Sequence, residues 1–207
     1  FTTYLLDENN EQVKHSLDYL RNDRGYTNAQ IKSFRLGFFP DKDVLINLLE
    51  NSRYSNNAAK ELVEKHFLPI VNHNQYLKID EAKNRITLPW CNMDGNVIGF
   101  SVRKHTSNPA LLKPKYLNNK DLRKSQYLFN LTNDAIGNEV VIVEGQFDAL
   151  VGTYYFAEEE GENKRYHFVA IGGSNISDNQ INQLLTASYQ KVTLLLNADD
   201  AGIKGVK

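Results

Sequence analysis

Two apolar runs near the end of this 207-residue chain stop at carboxylates, and they constrain its fold more than any other feature. The first is VVIVEGQFDAL at residues 140–150, and the second is KVTLLLNADDAG at residues 191–202. A short unbroken run of Val, Ile and Leu reads as a strand buried on both faces. From residue 139 strand and helix patterns alternate: strand 139–143, helix 147–156, strand 166–171, helix 177–188, strand 191–196, then another helix start. Ser177 followed by Gln180 forms a capping box for the middle helix. Crossovers between such strands are right-handed and make neighbours parallel. Open α/β sheets of this kind bind ligands at the C-terminal ends of their strands.

Glu144 ends the first run, Asp148 follows one helical turn later, and Asp199 and Asp200 lie just beyond the second run. Carboxylates gathered at one sheet edge repel one another, so a cation is expected among them. Oxygen donors suit Mg²⁺ or Mn²⁺. A phosphoryl-transfer site follows as the first functional expectation, because a divalent ion neutralises charge on a reacting phosphate. Gly172, Gly173 and Ser174 end the strand between the two motifs and form a candidate phosphate loop, where backbone N–H groups can face an anion. A flexible turn explains the same glycines equally well.

The earlier part of the chain has a different rhythm. Val13, Leu17 and Leu20 recur at helical spacing, Thr27 can cap a second helix, and residues 43–49 and 56–66 read as two more. Residues 86–103 read as a hairpin around Asp94-Gly95. Residues 104–125 carry Pro, Asn and Lys with little periodicity and read as a loop-rich basic segment. Cys91 sits in a strand pattern and reads as a core residue.

Charge divides the chain in the same way. Residues 82–125 hold nine Lys/Arg against two Asp/Glu, a net of +7, whereas residues 126–207 hold five against eleven, a net of −6. A basic segment followed by a carboxylate-tipped sheet suits a polyanion held by one and processed at the other. The single cysteine excludes an internal disulfide or a multi-cysteine zinc site within these residues. No apolar run reaches the roughly 20 residues that span a bilayer, so no membrane association is expected, and the single cysteine makes a reducing, cytoplasmic setting the expectation. The start lacks Met and the end falls within a helix pattern, so an excised fragment is expected.

The order E-G-x-x-D then x-x-D-x-A-G resembles the Toprim domain of primases, topoisomerases and some nucleases. Upstream, residues 19–41, 86–103 and 113–131 resemble the RNA-polymerase core of bacterial DnaG-type primases, so the likeness runs from about residue 17 to the end. The fold it implies is α/β: a Toprim domain (a Rossmann-like parallel sheet with flanking helices) over residues 138–207, truncated at its C-terminal end. A basic α+β primase-core subdomain precedes it over residues 1–137.

The resemblance implies RNA primer synthesis on a single-stranded DNA template from ribonucleoside triphosphates, with Mg²⁺ (or Mn²⁺) as cofactor. A replicative helicase is an implied partner, and a phage, plasmid or other mobile element an implied source. It assigns Glu144, Asp148 and Asp199 as catalytic, metal-holding acids and puts Asn197 at a further metal position, where the adjacent Asp200 can compensate for the missing charge. Arg103, Lys115 and Lys124 match positions that contact template, nucleotide or product, and Arg85, Lys113 and Asn118 lie near them. Asn197 departs from the pattern, which has its first aspartate there. The competing readings are another Toprim enzyme, a nuclease or topoisomerase, and a nucleic-acid-binding module whose metal site is weakened.

Overall fold

The computed structural model describes residues 1–52, 54–67, 70–72, 75–77, 83–106, 114–133, 138–156 and 166–197, and the chain packs as two units. The first comprises Phe1–Pro89 and Gly99–Leu122. Its helices are α1 (Thr2–Leu5), α2 (Glu11–Asp18), α3 (Asn28–Ser33), α4 (Lys42–Asn51) and α5 (Asn56–Leu62). Asn10 starts α2 by accepting from the Gln12 N–H at 3.0 Å, and α2 runs on into a π-helical turn over Tyr19–Asp23. Thr27 and Gln30 form a reciprocal capping box at the start of α3. Val13, Leu17 and Leu20 are buried, as their spacing predicts.

Six strands form the sheet of this part: β1 (Gly37–Phe39), β2 (Ile70–Asn72), β3 (Gln75–Leu77), β4 (Arg85–Cys91), β5 (Val97–Arg103) and β6 (Tyr116–Asn119). Their order is β1-β4-β5-β6-β2-β3. The hairpin turns at Asp94-Gly95, where Gly95 takes φ +79°, a conformation that costs glycine little. Phe39, Leu45, Ile46, Ala59, Val63, Val102 and Leu117 form one continuous core. β2 and β3 fall where the sequence pattern suggested no element, and two more strands lie where it suggested something else. β1 lies where Pro40 suggested only a break, and β6 lies within the segment expected to be loop. Both are held by distant partners: Phe38 pairs with Ile86, and Leu117 with Val102.

The second unit comprises Trp90–Ile98 and Arg123–Lys207. It contains β7 (Glu139–Val143), α6 (Gln146–Phe156), β8 (Tyr166–Ala170), α7 (Asp178–Thr186) and β9 (Lys191–Leu194). The strands are parallel in the order β8-β7-β9, with Val141 in register with Phe168 on one side and Thr193 on the other. Every residue of Val140–Val143 is buried, which is why β7 reads as an unbroken apolar run. Val140, Ile142, Val169, Ile171 and Leu184 pack together beneath α7. On the other side Gly152 of α6 meets the Phe168 ring so closely that a Cβ there would collide with it.

β9 departs from the expectation of a strand buried on both faces. Val192 and Leu194 are about half exposed, at 49% and 47%. Among the described residues β9 pairs with β7 alone. An apolar run reveals strand propensity, but not how many neighbours cover the strand. Cys91 is likewise half-buried at the end of β4 rather than enclosed in the core.

Candidate active site

The end of β7 is fixed through its backbone. The Val143 and Glu144 carbonyls accept from the N–H groups of Ile171 and Gly172, at 3.0 and 3.1 Å. The strand then turns sharply into α6, whose Ala149 N–H donates to the Gly145 carbonyl at 3.1 Å. The Asp148 carboxylate folds back over the turn to where a Gly145 Cβ would stand, so a side chain at 145 would have to displace it. Asp148 also lies in the first turn of α6, where the helix dipole favours a negative charge. Glu144 and Asp148 thus present oxygen donors alone at one turn of chain, a set that suits a hard dication.

Asn197 meets Glu144 at both carboxylate oxygens. Its backbone N–H donates to Oε1 at 3.0 Å and its side-chain Nδ2 donates to Oε2 at 3.0 Å. The amide therefore turns its nitrogen, not its oxygen, towards Glu144.

Lys124, in a short 3₁₀ turn (Lys124–Gln126), donates to the Gly172 carbonyl at 2.8 Å. Burial holds its ammonium pKa below the usual lysine range. Gly172 itself has φ +66°, and a Cβ there would stand 2.7 Å from the Trp90 ring. Its N–H is already bonded to the Glu144 carbonyl, so among Gly172, Gly173 and Ser174 this N–H is not open to an anion. Gln180 anchors the whole corner. Its side-chain nitrogen donates to the carbonyls of Lys124, Tyr127 and Ile171 at 3.1, 2.8 and 3.2 Å, and its oxygen accepts from the Ser177 N–H at 3.0 Å. One residue caps α7 and ties the Lys124 turn to the end of β8. The capping box was legible in the sequence, but the second task of its glutamine was not.

In the first unit two arginines gather on Tyr19. The Tyr19 hydroxyl accepts from Arg24 Nε at 2.6 Å and from Arg103 Nη1. Both guanidiniums also lie over its ring, 5.4 and 5.3 Å from the centroid, and Arg103 is 5.8 Å from the Tyr116 ring. Arg103 and Arg85 are each only 4% exposed, and Arg85 donates to the Pro114 carbonyl at 2.8 Å. Their positive charge is built into the fold rather than extended from it. Lys115 is exposed, and Asn118 accepts from the Ser101 hydroxyl at 2.7 Å. His105 packs against His15, ring centroids 4.8 Å apart, and its pKa falls to about 4 through burial first and then the charges of His15 and Arg103.

The family description "DNA primase catalytic core, N-terminal domain" matches residues 1–135, well over half of the chain. The chain belongs to the DNA primase catalytic-core family. A Toprim-like family matches residues 141–207 of this primase core. Among curated relatives, the DNA primase of Synechococcus elongatus is 29% identical over 202 residues, covering 93% of this chain and 27% of the relative. That of Staphylococcus aureus (strain COL) is 28% identical over 199 residues, covering 91% and 30%. The primase core therefore spans less than a third of the length of these relatives. Its fold matches the Aquifex aeolicus primase (zinc-binding and RNA polymerase domains) with a TM-score of 0.67 and 27% identity, covering 99% of this chain and 46% of that one. It also matches a DnaG primase catalytic domain bound to single-stranded DNA, with a TM-score of 0.68 and 22% identity, covering 99% and 61%.

In this primase core Glu144, Asp148 and Asn197 come together at one strand end, with Lys124 bonded to the neighbouring Gly172. Asp199, Asp200 and Lys113 lie outside the described residues. Among the described residues no three His, Cys, Asp or Glu side chains gather into a metal cluster. No described helix is long and apolar enough to cross a membrane. Tyr19 was missed by the sequence reading. The only signal was an aromatic residue at a helix end, and the π-helical turn that aims it is visible only in three dimensions.

Proposed function

We propose that this chain is the catalytic-core portion of a DNA primase. It joins ribonucleotides on a single-stranded DNA template by attack of a 3′-hydroxyl on the α-phosphate of an incoming ribonucleoside triphosphate. The carrying observation is the position of Glu144 at the end of the central parallel strand, with the Asp148 carboxylate folded over the adjacent Gly145. The relative solved with single-stranded DNA supports the template assignment.

Glu144 and Asp148 would hold Mg²⁺ or Mn²⁺ together with Asp199 and Asp200. Bound there, the ion would neutralise charge on the reacting phosphate. The chain's own residues do the rest. Glu144 and Asp148 orient the site from a rigid strand end. Lys124, kept beside Gly172 by Gln180, adds a positive charge in a partly desolvated setting. Lys115 and Lys113 contact the phosphate backbone of the strand without reading sequence. Arg103, Arg85 and Asn118 are assigned to template, nucleotide or product contact in the same reading. A replicative helicase as partner and a cytoplasmic location belong to the same reading.

The test is incorporation of labelled ribonucleotides by the full-length protein, with and without single-stranded DNA. Template-dependent RNA of short length is expected. Plasmid nicking with Mg²⁺ and no nucleotides, in place of RNA synthesis, would point to another Toprim enzyme instead.

A further inference from the structure

We infer that Asn197 is a positioning residue that orders the Glu144 carboxylate without a metal, at the cost of weaker metal binding. The inference rests on the reading of Glu144 as a metal-holding acid. It is specific to the residue this chain carries at position 197.

A carboxylate at a strand end has two oxygens to satisfy. Here each accepts one N–H from the same residue, at 3.0 Å and 3.0 Å. Such a two-point contact fixes both the position and the rotation of the carboxylate, as a bidentate partner does. Asn197 follows β9, whose Leu195 N–H donates to the Ile142 carbonyl of β7 at 2.8 Å. The Asn197–Glu144 pair therefore extends the β7–β9 ladder by one side-chain step beyond the last backbone bond. An amide can do this because its nitrogen donates; an aspartate at the same place would oppose a second carboxylate to the first.

The same arrangement hinders a cation. An ion approaching Glu144 must take an oxygen that already accepts an N–H, and Asn197 must release it or rotate to offer its own oxygen. The rotated amide contributes a donor without charge, and affinity for a hard dication follows the charge of its ligands. The site is thus pre-ordered when empty and binds metal with reduced affinity, so occupancy depends on the free metal concentration.

Two measurements on the full-length protein test this, comparing wild type with Asn197→Asp and Asn197→Ala. The first is hydrogen exchange of the peptide spanning residues 191–197 in excess chelator. Exchange is expected to be fastest in Asn197→Asp, intermediate in Asn197→Ala and slowest in wild type. Equal rates in all three, or an Asp variant at least as protected as wild type, would overturn the positioning role. The second is Mn²⁺ affinity from the paramagnetic resonance of the free ion. Asn197→Asp is expected to tighten Kd by about tenfold, whereas Asn197→Ala is not. A wild-type affinity equal to that of Asn197→Asp would overturn the metal half of the inference. Absence of a Mn²⁺ site in every variant would remove the reading of Glu144 as a metal ligand, while the exchange order alone would still decide whether Asn197 holds the strand end.

Discussion

Replacing Gly172 by alanine should destabilise the second unit by about 2–5 kcal/mol. Two independent costs combine. At φ +66° an L-residue carries a penalty of about 1–2 kcal/mol that glycine escapes. The new methyl would also stand 2.7 and 3.0 Å from two Trp90 ring atoms and 3.4 Å from Lys124 Cδ, and overpacking a filled core costs about 1–3 kcal/mol. Trp90 cannot yield easily, because it is fully buried and meets Phe129 edge-on at 5.3 Å. Gly173→Ala is the matched control: nothing lies within 4 Å of its added Cβ and its φ is not positive, so a change within about 0.5 kcal/mol is expected. Urea unfolding followed by Trp90 emission reads the perturbed contact itself, since Trp90 is the only tryptophan in these 207 residues. Equal stability of Gly172→Ala and wild type, or an equal loss in both glycine variants, would refute this account of the corner beside Glu144.

Two further predictions concern the first unit. His105 titrates at about 4 in the folded chain against about 6.5 when unfolded, so the unfolded state takes up the proton first and stability falls as pH drops from 6.5 towards 4. The loss from this group between pH 7.5 and 5 should be about 2 kcal/mol, measured as a shift in urea midpoint, and His105→Phe should flatten that part of the profile. Tyr19→Phe removes the hydroxyl to which Arg24 and Arg103 both donate and should cost about 1–3 kcal/mol in the same assay. A cost near zero would mean that the ring, rather than its oxygen, holds the two guanidiniums.

The second unit was the more legible in sequence, and the reason is physical. Its elements are set by local pattern: Val140–Val143 is apolar at every position because both faces are covered, and Ser177 with Gln180 marks the start of α7 within four residues. β1 and β6 were missed because their pairing depends on Ile86 and Val102, residues whose proximity no local window reveals. Among the site residues, the places of Glu144 at the strand end and Asp148 in the first turn of the next helix followed from the pattern. The direction of the Asn197 amide did not, because the same side chain can offer oxygen or nitrogen and only the geometry at Glu144 selects one. Arg103 and Arg85 were singled out for their charge, and nothing local in the sequence shows that they are buried. Their burial depends on Tyr19 and on the Pro114 carbonyl, both far away in sequence.

The proposal that Glu144 is a catalytic acid of a primase core is tested most directly by one comparison. Full-length wild-type protein and Glu144→Gln are assayed for RNA primer synthesis on single-stranded DNA with ribonucleotides and Mg²⁺. Glutamine keeps the shape of the side chain and removes its charge, so a loss of about a hundredfold or more in rate is expected, with the urea midpoint unchanged. A folded Glu144→Gln protein that primes at the wild-type rate would contradict it.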